Sequence, residues 1–600
     1  MTHADYHARA ALFSAEAQRL RSRYERLTWV RLLAFVAAVA LAILLWQWLP
    51  WWGGLVGTLV LIGLFARLVR WHGRIQRAAR HQERLAEANE DEIRAGQHDF
   101  AHLPAGESFV DQQHPYTYDL DIFGPHAIFQ YLNRGRTSIG QARLASWLQH
   151  PADTGTIRQR QEAVRELASQ LDWRQHFQAH GAALEEEAGQ IDRLRSWLDS
   201  PPVVLGHRWR TLALWLAPLL SVVGIALWIT VLPWFAAILF FVPAGWWLRG
   251  AQEEVNRLHS LTGRASDTLN QYARLIAHTE EASFDSPLLQ ALRATFTTGE
   301  APASRAIKRL AYRLSQLDVR YNPFVLLLEF TVVWDLQQAY RLDRWQATYR
   351  EQLPRWFGAL AELEALLSLA TLHYNQSGWV IPEITNEAIL QATDLGHPLI
   401  PADKRVGNDL QMPTHGHMHL ITGSNMAGKS TWLRSVGVNL VLALAGGPVC
   451  ARSMRLPQLQ VYTSMRTQDA LHESTSSFFA ELKRLKFIIE AVEDPSHTDG
   501  RPVFFLLDEI LKGTNSRDRH TGAKALIQQL IRSKGAGLIA THDLELGVLE
   551  ADSEGRIENW AIEVAIRDGQ LYFDYTLQRG VSQSFNATLL MQRMGIKIDP

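Results

Sequence analysis

The chain carries a single cysteine, Cys450, in 600 residues. That excludes a disulfide framework and any cysteine-based zinc or iron–sulfur site within one chain, and it fits a reducing compartment. Net charge is lacking too: 60 Lys and Arg against 61 Asp and Glu leave −1, with a pI near 7.1. No global basic field draws the chain toward nucleic acid, so any such binding has to be local. The sharpest absence is charge of either sign over residues 32–66 and 211–248, stretches of 35 and 38 residues without Asp, Glu, Lys or Arg. What is present suffices for folding: 47% hydrophobic and 20% charged residues exclude a mostly disordered chain. The length is about four domains' worth at about 150 residues each.

Tryptophan is concentrated around the two uncharged stretches. Twelve of the 21 lie there, six from Trp29 to Trp71 and six from Trp209 to Trp247. A single helix over the 35 residues of the first stretch would be about 52 Å long, against a bilayer core of about 30 Å. Turn formers sit near the middle of each stretch (Pro50, Gly53 and Gly54; Pro233). Each therefore reads as two short helices joined by a tight turn, which makes two transmembrane hairpins with tryptophans at the membrane–water interfaces. The soluble alternative, a buried hairpin, would have to exclude charge on every face. Arg21, Arg23, Arg26 and Arg31 precede the first hairpin and Arg67, Arg70, Arg74, Arg77 and Arg80 follow it; Arg208, Arg210 and Arg249 flank the second. The positive-inside rule then places both termini in the cytoplasm of a multi-pass protein of the cell (inner) membrane. The charged first 30 residues do not fit a cleaved signal peptide. Arg70, Arg74, Arg77, Arg80 and Arg84 share one helical face, open to two readings: contact with anionic lipid, or a solvated charged surface.

Residues 81 to about 115 are polar, contain Pro104, Gly106 and Pro115, and read as a linker. Helical periodicity follows over 119–200 and 251–375, with runs such as 325–340 and 356–372 that read as buried. From about 380, short apolar runs alternate with helical stretches and glycine-rich turns, the pattern of an α/β domain with a largely parallel sheet.

Gly423, Ser424, Asn425, Met426, Ala427, Gly428, Lys429, Ser430 and Thr431 form GxxxxGK[ST] between an apolar run and a helical stretch, the context a phosphate-binding loop requires. Glycines let backbone N–H groups approach phosphate oxygens, and a helix N-terminus adds a favourable dipole. Lys429 reaches toward the β- and γ-phosphates of ATP, and Ser430 offers a hydroxyl to Mg²⁺. The run 503–507 ends in Asp508 and Glu509, a Walker B arrangement with Asp508 as a second Mg²⁺ ligand and Glu509 facing the attacking water. A third apolar run ends at Thr541 and His542; His542 either senses the γ-phosphate or is satisfied in its loop. Ser476 and Ser477 open a helical stretch and serve either as a helix cap or as nucleotide contacts.

With these motifs the chain resembles the MutS-like ATPases of the ABC superfamily. GSNMAGKST (423–431), LLDEILKGTNS (506–516) and ATHDLEL (540–546) look like that family's Walker A, Walker B and ATH-x-x-E-L segments. Ser476 and Ser477 with Phe478 and Glu481 resemble its STF-x-x-E signature, and 575–580 followed by Ser584 its closing segment, which adds Tyr575 as a nucleotide contact. Residues 120–123, 132–137 and 158–164 look like the start of its core, or lever, domain. The resemblance covers about 119–200 and 251–600. It implies an ABC-type P-loop ATPase domain, an all-α lever domain, and a homodimer of ATPase heads in which Ser476 or Ser477 of one protomer completes the site of the other. Ser424 and Ala427 depart from the family's usual Pro and Gly, and Leu511 and Lys512 from a Gly–Arg pair. The first 110 residues show no counterpart of the mismatch-reading domain or its Phe-x-Glu wedge, and the second hairpin lies about where the levers end in a DNA clamp.

The expected organisation is an N-terminal region with a hairpin (1–80), a linker (81–118), lever helices (119–210), a second hairpin (211–248), further lever helices (249–380) and the ATPase domain (381–600). The expected function is a membrane-anchored MutS-family ATPase that closes as a dimer on Mg·ATP. Mismatched-DNA binding and repair are implied by the family but not supported by the charge balance. The alternative is a membrane-embedded, ATP-dependent switch or assembly protein with no DNA role, in contact with membrane lipid. A transporter fits less well, because the spans contain no charge.

Overall fold

The computed structural model describes residues 2–182, 184, 186–187, 189–424, 427–466, 477–567 and 570–583. Asn425, Met426, Ser476 and Ser584 fall outside the described residues, as does the side chain of Ser477. The N-terminal stretch forms two antiparallel helices, α1 (Thr2–Trp48) and α2 (Trp51–Gly96), separated only by Leu49 and Pro50. They are far longer than the short helices expected. The flanks are rich in Ala, Arg, Glu and Leu and have no proline, so nothing stops the helix at the end of the uncharged stretch. The apolar half is exposed, Trp48 to 83%, and Trp46 donates to Thr58 across the turn at 3.1 Å.

The expected linker from 81 is corrected by the same helix. Residues up to Gly96 continue α2, and its buried stripe contains Leu85, Ala88, Asn89, Glu92 and Ala95. Asn89 and Glu92 in that stripe made it read as polar. Beyond it Phe100, Leu103 and Tyr116 are buried, and the Gln130 amide donates to the Ala101 and Leu103 carbonyls at 3.1 and 2.7 Å.

The helical part packs around one long, almost wholly buried helix that runs from Gln352 to Asn375. Burial pushes its Glu364 carboxyl up to about 7; it accepts from the Arg136 backbone N–H at 3.0 Å and from the Thr137 hydroxyl. The second uncharged stretch is not a clean hairpin. Its first arm is α3 (Arg208–Thr230), but the second breaks into Trp234–Ala237, Ile238–Phe240 and Val242–Arg249. Pro243 is the physical cause, since it lacks an N–H and its ring clashes with the carbonyl four residues back. Among the described residues three helices are long and apolar enough to cross a membrane, or four if Trp234–Arg249 and Gln252–Thr262, bent by 57°, count as one. Within the run 325–340, expected as buried, helix Pro323–Val332 exposes Leu327, Leu328 and Phe330, whereas Val333, Leu336 and Ala339 are buried.

The C-terminal part is α/β. A six-stranded sheet has the order β10-β9-β4-β8-β7-β6, with β4 (Met418–Thr422), β6 (Gln460–Ser464), β7 (Val503–Asp508), β8 (Ala536–Thr541) and β9 (Ile557–Arg567) parallel and β10 (Gln570–Arg579) antiparallel at the edge. A smaller sheet, order β1-β5-β2-β3, joins β1 (Glu383–Ile384), β2 (Ile389–Leu395), β3 (Asn408–Pro413) and β5 (Ser453–Leu456). Side chains alternate across a strand. Phe504 and Leu506 of β7 therefore enter the core shared with the helical part and with α4 (Lys429–Ala445), whereas Phe505 and Leu507 enter a second core with α5 (Ser477–Glu493) and α6 (Ser516–Arg532). The two parts are tied by Asp119, whose carboxylate accepts from Thr463 Oγ1 at 2.7 Å and from the N–H groups of Met465 and Arg466 at 3.2 and 3.1 Å.

Candidate functional site

The carboxyl ends of β4, β7 and β8 lie side by side, with Thr422 paired to Thr541 and Asp508 to Ala540. In an open parallel sheet this edge is where ligands bind. The glycine-rich loop leaves β4 there and feeds α4, which begins at Lys429. Gly428 has φ 98°, and a Cβ on it would stand 2.9 Å from the Tyr575 ring. Glycine is required on both counts.

Lys429 is only 4% exposed, and its ammonium donates to the carbonyls of Gly423 and Ser424 at 2.8 and 2.9 Å. Burial pulls its pKa down, opposed by the charges of Glu509 and Asp508. A buried cation whose bonds close on its own loop fits an anion, and the free N–H groups of the first turn of α4 face the same space. The Ser430 hydroxyl is hydrogen-bonded to Asp508, whose carboxyl burial pushes up and this bond pulls down. An adjacent hydroxyl and carboxylate make the hard oxygen pair that Mg²⁺ takes.

Glu509 sits at φ 47°, with its N–H donating to Ala540 O at 2.9 Å. Lys512 stands 3.1 Å and His542 3.8 Å from its two carboxylate oxygens. Burial alone would raise the Glu509 pKa; the hydrogen bond and charge of Lys512, with the charges of His542 and Lys429, take it below the usual value. The loop is clamped from α5: Glu481 accepts from the N–H groups of Leu511 and, at 3.1 Å, Lys512, and Phe478 lies over Gly513.

An open cleft of about 700 Å³ runs from the loop, within the range of small-molecule sites. Lys429, Ser430, Thr431, Gly428, Glu509 and Tyr575 line it. So do residues that reading by motif missed: His397, Ile400 and Val406 from the loop joining β2 to β3, Asn408 of β3, and Trp432 of α4. Burial lowers the His397 pKa to about 4, and its Nδ1 accepts the Leu399 N–H at 3.2 Å, so a neutral ring faces the cleft. Asn408 fixes the edge strand by donating to Tyr575 O at 3.0 Å and accepting from the Leu577 N–H at 2.7 Å. The signal for these residues was only the turn Gly396, His397, Pro398 between strands. Gly423 and Ala427 belong to the loop but are buried beneath the cleft, and Ser424 reaches it only through its carbonyl on Lys429.

Residues 419–591 match the family MutS domain V. The match takes in both the glycine-rich loop and the strand end that carries Asp508 and Glu509. A DNA mismatch repair protein MutS of Aquifex pyrophilus is 29% identical over 292 residues, covering 48% of this chain and 32% of the relative. MutS of an Exiguobacterium species is 32% identical over 42% of the chain and 29% of its own length, and MSH3 of Phaeosphaeria nodorum 32% identical over 40% and 21%. The chain thus spans about a third or less of the length of these curated relatives.

Proposed function

We propose that this protein is a MutS-like ATPase that binds and hydrolyses ATP in the cleft and uses head-to-head closure of two copies as a switch. The observation that supports it best is the convergence of buried Lys429, the Ser430–Asp508 pair and Glu509 on one sheet edge. Lys429 would stabilise charge on the transferred phosphoryl group, Ser430 and Asp508 would hold Mg²⁺, and Glu509 would orient or deprotonate water. Mg²⁺ supplies the charge neutralisation that lets a phosphate leave. Lys512 and His542 hold the Glu509 carboxylate ionised, the form that can accept a hydrogen bond from water. Ser476 or Ser477 of the second copy would complete the site. Glu509→Gln is expected to trap ATP, with hydrolysis reduced at least about 100-fold, and Lys429→Ala to abolish turnover; unchanged hydrolysis in both overturns the assignment.

The relatives carry DNA mismatch repair names, and DNA repair is the process we propose for the switch. Near-zero net charge does not weigh against it, because a local basic surface is enough. The exposed apolar halves of α1, α2 and α3 support a second element of the proposal, anchoring in the cell membrane with the α/β domain and both termini in the cytoplasm. They also favour the second reading, a membrane assembly switch without DNA. Salt-dependent binding of purified protein to homoduplex, mismatched and branched DNA separates the two: no binding at low salt eliminates the repair reading. Recovery in the soluble fraction without detergent refutes the anchor.

A further inference from the structure

The second apolar unit includes an element from outside its uncharged stretch. Helix Pro323–Val332 is ten residues long and built inside out. Leu327, Leu328 and Phe330 are 69%, 39% and 46% exposed, while its one charged residue, Glu329, turns back to accept the Asp335 N–H at 3.2 and 3.4 Å. A helix facing water does the reverse. It is seated on the apolar unit itself: Ser221 Oγ of α3 donates to Thr331 O at 2.8 Å, and the Phe330 ring covers Gly245 on the broken arm. Leu219 and Val222 of α3, with Val242 and Trp246 of the arm, are exposed apolar side chains of the same unit. The residues flanking the segment, Arg320 and Asp335, form an ion pair of 2.9 Å, which ties its two ends together. The helix leading into it, Ala303–Asp318, exposes Arg305, Lys308 and Arg309, a basic surface suited to anionic headgroups.

We infer that Pro323–Val332 is a re-entrant half-span in the cytoplasmic leaflet, its exposed face covered by lipid acyl chains. This rests on the membrane reading above. Ten residues make a helix about 15 Å long, too short to cross a core of about 30 Å, so the segment stays within one leaflet. It restores apolar cover where Pro243 breaks the second arm. Because only short breaks, 319–322 and Val333, join it to helices Ala303–Asp318 and Trp334–Tyr349, movement of the helical part shifts an element held in one leaflet.

The test uses the 600-residue chain carrying Cys450→Ala in phosphatidylcholine–phosphatidylglycerol vesicles. An environment-sensitive fluorophore is placed on Leu327→Cys, on Val222→Cys in α3, and on Arg309→Cys as the aqueous reference. Lipids brominated on the acyl chain are expected to quench Leu327→Cys and Val222→Cys several-fold more than Arg309→Cys. If Val222→Cys is quenched by lipid and Leu327→Cys only by aqueous iodide, the half-span is overturned and the anchor stands. If both report water, both fall. Disulfide cross-linking of two copies through Leu327→Cys, with no lipid quenching, assigns the face to a second copy and also overturns the proposal. Leu328→Cys repeats the reading should Leu327→Cys fail to fold.

Discussion

The two uncharged stretches are close in length and composition, yet they build different objects. Residues 32–66 lie inside two continuous helices, and 211–248 give one helix and a broken arm. Their roots differ as well. The first is held by side chains: Glu92 and Arg134 are paired at 2.6 Å in the interior, Asn375 donates to Glu92 at 2.7 Å, and the Tyr6 hydroxyl donates to Asn375 at 2.7 Å. The second is held through its backbone: Asp343 accepts from the N–H groups of Val203, Val204 and Leu205 at 3.1, 2.6 and 3.0 Å. Similar composition thus specifies helices with apolar surfaces, while proline placement and the root contacts decide how rigidly each unit is joined to the rest.

The comparison can be broken at each root. Glu92→Ala strands the buried Arg134 guanidinium, and a loss of about 3–5 kcal/mol is expected, since a broken buried pair leaves an uncompensated charge. Thermal unfolding in detergent measures it, and proteolysis should open the base of α1 and α2 first. Asp343→Ala leaves three N–H groups unpaired near α3; about 2–3 kcal/mol is expected, with proteolysis opening residues 200–208 instead. Indistinguishable cleavage patterns would mean the two roots are not separate units.

Acid gives a smaller and one-sided effect. His81 of α2 meets His176 at 2.9 Å and stacks on His180, which lies near His278. Burial first, then neighbouring positive charge, lowers His81 to about 4 and His180 to about 3, and lowers His176 and His278 as well. Arg84 and Arg274 add like charge, and Asp172 and Glu281 oppose it. Folded values below the ordinary 6.5 mean that the unfolded chain binds more protons. The contribution is complete above about pH 6.5 and is lost progressively toward pH 4. Hydrogen exchange at the first root should therefore rise between these values while the second root stays unchanged.

Much of the candidate site was legible because its chemistry is contiguous: Gly423 to Thr431 and Asp508–Glu509 carry their own spacing. His397, Asn408 and Trp432 were not, because no local pattern marks a residue that a second sheet or a buried helix face brings to the cleft. Residues 81–96 were misread as a linker because Asn89 and Glu92 occupy a buried stripe, and polarity at a core position is only explained by its partners, here Gln175 at 2.7 Å and Arg134. The run 325–340 reads as buried throughout, yet Leu327, Leu328 and Phe330 are exposed while Val333, Leu336 and Ala339 are not, because an apolar run carries no mark of what covers it.

The amino-acid order alone determined what depends on near neighbours: the loop glycines, the carboxylate pair at a strand end, the charge-free stretches and the resemblance they support. Tertiary structure decided what depends on distant ones: which carboxylates are buried and paired, where Lys429 spends its hydrogen bonds, and which apolar faces stay uncovered. Burial and electrostatic pairing are set by groups hundreds of residues apart, such as Glu92 with Asn375, and no local spacing encodes them.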